Sequence, residues 1–399
     1  MIEPFLSALP VLKKLEDSGY EAYFVGGSVR DFLLQKPISD VDIATSATPE
    51  EVKQVFSKTV DVGIEHGTIL VLFRNNSYEI TTFRTESEYE DYRRPKDVSF
   101  IRNLIDDLKR RDFTMNAIAM DRSGNLIDPF DGQKSIQEKI IKTVGIAEER
   151  FQEDALRMMR AVRFMSQLSF SIELQTMAVL NKLAPLLGKI AVERKRTEFE
   201  KLLIGPNCKE AIELMVETGL YLYLPGLTNG REPLNNLLHF NWHNLSKFEM
   251  WAILLYCLNI EGKEIEQFLR NWRMAIKDIR GIQQIIIFLK LRLNKDWEPY
   301  ELYLAKRETI VSVEKLYQVL NGINEVHIIN QLLKLYDNLP IKDKGDLVVT
   351  GNDLLGWYNQ KAGPWLKDSL LAIERAVVEG KILNEKNKIK EWLMECNQK

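Results

Sequence analysis

Two rhythms of apolar and polar residues divide the 399-residue chain. Up to about residue 130, short runs rich in Val, Ile, Tyr, Phe or Thr alternate with helical stretches. The runs at 22–25, 41–44, 69–73, 78–83 and 117–120 read as strands, because β-branched and aromatic side chains suit a pleated, half-buried surface. Segments 3–18, 28–34, 49–56 and 103–111 read as helices. From about residue 135 the apolar period becomes 3.6 and stays there, with long stretches at 151–165, 174–187, 194–203 and 265–293. Breakers at Gly205-Pro206, Pro225-Gly226, Asn229-Gly230, Gly322 and Gly363-Pro364 cut this part into packets. The pattern predicts an α+β chain, a small α/β head followed by an elongated helical remainder.

Composition narrows the class. Apolar residues at 45% and charged residues at 28% are ordinary globular usage, which excludes collagen-like, disordered and disulfide-scaffold chains. Cys208, Cys257 and Cys396 are scattered without CxxC spacing, as suits a reducing compartment. No run approaches a membrane span, and the acidic start at Glu3 lacks a signal-peptide profile, so the expected location is cytoplasmic with no membrane partner. Residues 1–150 carry a net charge of −6 and the remainder +3. Contact with a polyanion is therefore expected from the later part, and the acidic side chains of the first part require a reason.

That reason lies in two motifs. Phe24-Val25-Gly26-Gly27-Ser28-Val29-Arg30-Asp31 sets two glycines where a strand gives way to a helix, an arrangement suited to phosphate, with Arg30 as a charged donor. The spacing is neither that of a P-loop nor that of a nucleophile elbow. About a dozen residues on, Asp40-Val41-Asp42 presents two carboxylates on one face while Val41 and Ile43 turn to the core. Paired like charges are costly unless a cation joins them, and a hard divalent ion such as Mg²⁺ answers that need. A pair of such ions can activate a hydroxyl and clamp a triphosphate. Glu79 is either a third carboxylate or a plain surface glutamate.

Together these residues resemble the head of the polymerase-β-like nucleotidyltransferases, specifically class II tRNA nucleotidyltransferases, the bacterial CCA-adding enzymes. Four further motifs follow in the family's order: Arg110-Arg111-Asp112-Phe113-Thr114-Met115-Asn116-Ala117, Asp128-Pro129-Phe130-Asp131-Gly132, Glu153-Asp154-Ala155-Leu156-Arg157, and Val192-Glu193-Arg194 through Glu198-Phe199-Glu200-Lys201-Leu202-Leu203. The resemblance spans about residues 20–205. Two departures, Ser28 where Ala is frequent and Ala155 where Pro is frequent, remove no ligand.

The resemblance implies roles. Asp40 and Asp42 would be catalytic and hold Mg²⁺; Gly26, Gly27 and Arg30 would hold the triphosphate; Arg111 with Asp112 would hold the sugar. Asp154 and Arg157, at i and i+3 on one helix, would offer an acceptor beside a fork of donors. Such a pair accepts the amino groups of cytosine and adenine, donates to their ring acceptors, and repels uracil and guanine. Arg160 and Arg163 step around the same helix and would hold Arg157 or neutralise the nucleotide. The charged segment from Arg84 to Phe100 reads as a mobile loop, and similar enzymes use a loop there to switch from C to A.

Later residues say less. Arg270, Arg273, Lys277 and Arg280 recur with a helical period, as a tRNA-tracking stripe or a plain solvated face. His66, His239, His243 and His327 form no HD or HExxH pattern. The expected organisation is a catalytic head at 1–130, a neck with a base-selecting helix at 131–205, a body at 206–310 and a tRNA-binding tail at 311–399. The implied reaction is template-independent addition of C, C and A to the 3′ end of tRNA from CTP and ATP, releasing pyrophosphate. A homodimer is compatible with the sequence. The rivals are an A-adding or CC-adding relative, a poly(A) polymerase, and a non-catalytic tRNA-binding protein.

Overall fold

A computed structural model describes residues 2–396 apart from 87–88, 91–93, 96–97 and 243, with backbone alone for those within 86–98. The chain forms two compact units: residues 1–235 with 271–273, and residues 236–270 with 274–399.

The first unit starts with α1 (Phe5–Asp17), whose buried stripe of Phe5, Ala8, Val11, Leu12 and Leu15 has the spacing of one helix face. The following strand β1 (Ala22–Val25) has its two neighbouring side chains on opposite faces of the sheet. Phe24 meets Phe5 at 4.8 Å between ring centroids. Val25 joins a cluster with Phe83, Leu104 and Leu108. Both faces of the sheet are thus covered, which explains the apolar runs at 22–25 and 41–44.

After α2 (Gly27–Leu33) come β2 (Asp42–Thr45), α3 (Pro49–Val55), β3 (Thr59–Gly63), β4 (Thr68–Phe73) and β5 (Asn76–Thr82). The start of α3 is set locally: Thr48 and Glu51 form a capping box, and Pro49 occupies the first turn. With β10 (Ala119–Met120) and β11 (Leu126–Ile127) the sheet runs β11-β10-β1-β2-β5-β4-β3. Within this sheet, among the described residues, only β2 and β5 pair in parallel, placing Asp42 opposite Glu79.

Between β5 and α4 (Leu104–Lys109), β6 (Arg84–Glu86) pairs with β9 (Val98–Phe100), and β7 (Tyr89–Glu90) with β8 (Arg94–Pro95). The segment expected to be a mobile loop therefore has, where it is described, the backbone pairing of a two-tier hairpin. The rest of that expected loop, like His243, lies outside the described residues.

Helix α5 (Gly132–Glu138) begins where the Asp128 carboxylate accepts the Gly132 and Gln133 amides at 2.7 and 2.8 Å. A short parallel pair, β12 (Ile140–Ile141) with β13 (Ser171–Ile172), brackets α6 (Ala147–Glu153) and α7 (Leu156–Leu168). The single helix expected over 151–165 is in fact two. Asp154 leaves helical geometry, and its carboxylate accepts the Leu156 amide at 3.0 Å, the local competition by which Asp interrupts helices. Helices α8 (Leu174–Leu183), α9 (Val192–Leu203) and α10 (Cys208–Glu217) follow. Trp272 belongs to this unit, stacking on Phe199 at 5.0 Å.

The division between units falls within α11 (Arg231–His239). The second unit is built from α12 (Lys247–Cys257), most of α13 (Lys263–Asn271), α14 (Ile276–Asn294), α15 (Pro299–Asn321), α16 (Val326–Asp337), α17 (Gly351–Tyr358), α18 (Pro364–Val378) and α19 (Lys386–Cys396). The helix expected over 265–293 breaks between α13 and α14, where Arg273 takes a positive φ of 55°. Arg270, Arg273, Lys277 and Arg280 are accordingly not one continuous helical stripe. The border expected at residue 310 falls inside α15, near its interruption at Lys306. Among the described residues no helix is long and apolar enough to cross a membrane.

Gly132 fixes how α5 meets the 3₁₀ turn Thr114–Asn116. A Cβ there would stand 2.3 Å from the Thr114 carbonyl oxygen and 2.6 Å from Ile118 Cγ1. Gly132→Ala is expected to destabilise the protein by about 1–3 kcal/mol through overpacking, read as a lowered urea midpoint.

Candidate active site

The glycine turn after β1 brings backbone close to charge. Gly26 has φ 71° and ψ −136°, and a Cβ there would lie 3.3 Å from Arg111 Nη1 and 3.5 Å from Asp42 Oδ2. At Gly27 the corresponding neighbour is Arg30 Nη2 at 3.5 Å. Asp40 occupies the segment just before β2 and Asp42 is the first residue of that strand. Both are exposed while Val41 and Ile43 are buried, the alternation expected of the motif.

Asp40, Asp42 and Glu79 line one cavity of about 350 Å³. The concave wall pushes the Asp42 carboxyl above its ordinary range by desolvation; Glu79 adds to this, Arg111 opposes it and Asp40 adds again. An oxygen-only donor set under mutual repulsion fits a hard divalent cation. Among the described residues no three such groups converge to hold an ion by themselves. That suits an ion that takes one or two carboxylates and completes its shell with phosphate and water.

A larger cleft of about 800 Å³ adjoins this cavity and shares Gly27, Arg30 and Asp42 with it. Its walls carry eight arginines and Lys201 against only Asp42, Asp112 and Asp154. Carboxylates anchor the arginines. Asp31 holds Arg30 through two bonds, Nε–Oδ1 at 2.9 Å and Nη2–Oδ2 at 3.0 Å, while Arg30 Nη1 donates to Asn116 Oδ1 at 2.7 Å. Arg110 and Arg111 both reach the buried Asp107, at 2.8 and 3.1 Å. Arg163 Nε approaches Glu198 at 2.7 Å and Nη1 donates to Gln167 at 3.1 Å. Burial and the neighbouring Arg160 pull the Arg163 pKa down to about 10 against the attraction of Glu198.

Asp112 is the hub of this wall. Its Oδ1 accepts the Phe113 amide at 2.8 Å and Asn116 Nδ2 at 3.1 Å, and its Oδ2 accepts Arg160 Nε at 2.7 Å. Burial alone would raise its pKa; Arg160 and these bonds overcome it and hold the carboxyl at about 2.

Asp154 accepts two bonds from Arg194, at 3.3 and 2.6 Å. Arg157 is buried and donates to Glu153 Oε2 at 2.6 Å and to the Arg150 and Arg110 carbonyls at 3.1 and 3.0 Å. The expected acceptor and fork are therefore on either side of a helix break, each engaged with a partner of its own, yet both line the cleft. All eleven expected site residues except Asp40 line the larger cleft, and Asp40 lines the adjoining cavity. Asp107, Arg194 and Phe164 were not singled out by sequence. Arg194 and Glu198 belong to the motif at 192–203, and Asp107 is marked by Arg110 and Arg111 at i+3 and i+4, whereas nothing local marks Phe164.

Three family models match parts of the chain. The "Poly A polymerase head domain" model matches residues 22–142, "Probable RNA and SrmB- binding site of polymerase A" matches 169–230, and "tRNA nucleotidyltransferase domain 2 putative" matches 243–393. A curated CCA-adding enzyme of Geobacillus sp. (strain WCH70) is 48% identical over 399 residues, covering 100% of this chain and 98% of that protein. A CCA-adding enzyme of Bacillus cereus (strain Q1) is 46% identical over 397 residues, covering 99% and 100%. The crystal structure of the Bacillus stearothermophilus CCA-adding enzyme in complex with CTP matches with a TM-score of 0.92 at 46% identity, covering 100% of this chain and 98% of that one.

Because the folded pKa of Asp112 lies below its ordinary 3.8, its stabilisation is present above that value and is lost as pH falls toward about 2. At about 1.4 kcal/mol per pH unit this amounts to about 2 kcal/mol. Asp112→Asn is expected to lose that amount near neutral pH and to show a flatter decline between about pH 4 and pH 2, measured by urea unfolding at each pH.

Proposed function

The chain belongs to the CCA-adding enzymes, and from that premise we propose how its own residues add C, C and A to the 3′ end of tRNA from CTP and ATP. The observation that carries the reading is the continuity of an acidic cavity with a cationic cleft, meeting at Gly27, Arg30 and Asp42. The acidic side suits the reacting oxygens, and the cationic side suits a triphosphate.

In each cycle the tRNA 3′ oxygen bonds to the α-phosphorus, the bond to the bridging oxygen breaks, and pyrophosphate leaves. Enzymes of this family generally depend on a divalent metal; here we assign it as Mg²⁺ on Asp40 and Asp42. When bound, the metal supplies charge stabilisation and lowers the pKa of the attacking hydroxyl. Glu79, in register with Asp42, holds negative potential at the same place. Gly26 and Gly27 admit the phosphates to the backbone, and Arg30, Arg160 and Arg163 neutralise them. Arg111 meets the sugar beside Asp112, whose bonds fix Arg160 and Asn116. Catalysis then rests on positioning and on charge placed in advance.

Base choice falls to Asp154 and Arg157. Among the described residues, Asp154 Oδ2 accepts only from Arg194, which leaves acceptor capacity for the amino group of cytosine or adenine. Uracil and guanine present a carbonyl there and meet repulsion. The head at 1–130, neck at 131–205, body at 206–310 and tRNA-binding tail at 311–399 are the working parts of this reading. Cytoplasmic location completes it.

The direct assay supplies a tRNA transcript lacking CCA with all four nucleotides, one labelled at a time; incorporation of C and A alone supports the reading, and incorporation of U or G contradicts it. Asp42→Ala is expected to reduce incorporation of both nucleotides on the order of 10³-fold while tRNA binding stays near wild type. Asp154→Asn introduces an N–H donor and is expected to raise use of UTP and GTP relative to CTP about tenfold, measured by competition between labelled nucleotides.

A further inference from the structure

Phe164 lies on α7 outside its expected apolar stripe of Ala155, Met158, Met159, Val162 and Met165. It is 3% exposed, yet its ring lines the cationic cleft. Three guanidinium groups converge on that ring: Arg163 with Cζ at 3.7 Å from the centroid, Arg30 at 5.1 Å and Arg160 at 5.5 Å. Beyond the ring the arginines pair with carboxylates, Arg30 with Asp31, Arg160 with Asp112, and Arg163 with Glu198, which also stands 3.8 Å from Arg160.

We propose that Phe164 is a positioning residue that spaces Arg30, Arg160 and Arg163 for the phosphates of the incoming nucleotide. Like charges gathered at one place repel, and the arginines must stay close enough to meet one triphosphate. Asp31, Asp112 and Glu198 attract the arginines they pair with. A ring face draws them inward, because its quadrupole attracts cations. It does so without the formal negative charge of a carboxylate, which would compete with phosphate at the centre of the cluster. An aliphatic side chain would fill the space but exert no inward pull. The inference deepens the reading above, which assigns these arginines to the phosphates.

The test is steady-state kinetics with CTP and with ATP on full-length variants. Phe164→Leu, apolar but without the ring, is expected to raise KM for both nucleotides roughly tenfold while kcat changes by less than about threefold. Phe164→Tyr, which restores the ring, is expected to return KM to within about twofold of wild type. If a folded Leu variant shows reduced kcat with KM unchanged, the ring only fills space and the proposal is overturned. A folded Tyr variant that keeps the high KM overturns it too. Should Phe164→Leu fail to fold, Phe164→Met carries the same expectations. Arg30→Gln, which removes the charge, separates the two layers: unchanged KM there defeats the phosphate assignment itself. A raised KM there, with Phe164→Leu at wild-type KM, defeats only the role of the ring.

Discussion

Eight arginines and a lysine around one cleft repel one another, and most of the surrounding structure answers that repulsion. Asp31 faces Arg30, Asp107 faces Arg110 and Arg111, and Asp112 faces Arg160. Glu153, Asp154 and Glu198 face Arg157, Arg194 and Arg163. Each carboxylate is costly to bury alone and each guanidinium likewise, so the pairs fix one another's orientation. The remaining guanidinium donors still favour an anion in the cleft, because one carboxylate cannot saturate five N–H groups.

The proposed reading gives this arrangement two tasks. The acidic pair Asp40 and Asp42 lines the smaller cavity, at the start of β2. Asp154 and Arg157 line the larger cleft, at a helix break created by Asp154 itself. A triphosphate laid along the arginines would connect them, its phosphorus near the acids and its base near the break. In the proposed reading, choice of base needs no nucleic-acid template, only side chains whose donors and acceptors are fixed in advance.

The sequence made the head legible because burial on both faces of the sheet leaves a strong apolar signal. The strands at 22–25, 41–44, 69–73 and 78–83 all correspond to observed strands within two residues. Edge strand β3 escaped notice, since its central residues Val60, Asp61 and Val62 are all exposed and carry no inside-outside alternation. The breaks at Asp154 and Arg273 were hidden for a different reason: apolar period reports which residues are buried, not whether the backbone between them is continuous. Asp40, Asp42, Gly26 and Gly27 were readable as local motifs. Asp107 has a local signal in Arg110 and Arg111 at i+3 and i+4; Phe164 has none, because its contact with Arg30 joins two elements distant in sequence.

The most direct measurement is a crystal structure of this chain with CTP and Mg²⁺. The account predicts the α-phosphorus beside Asp40 and Asp42, the phosphates on Arg30, Arg160 and Arg163, and the cytosine amino group on Asp154. A cytosine bound away from Asp154, or an α-phosphorus remote from the two aspartates, would contradict it.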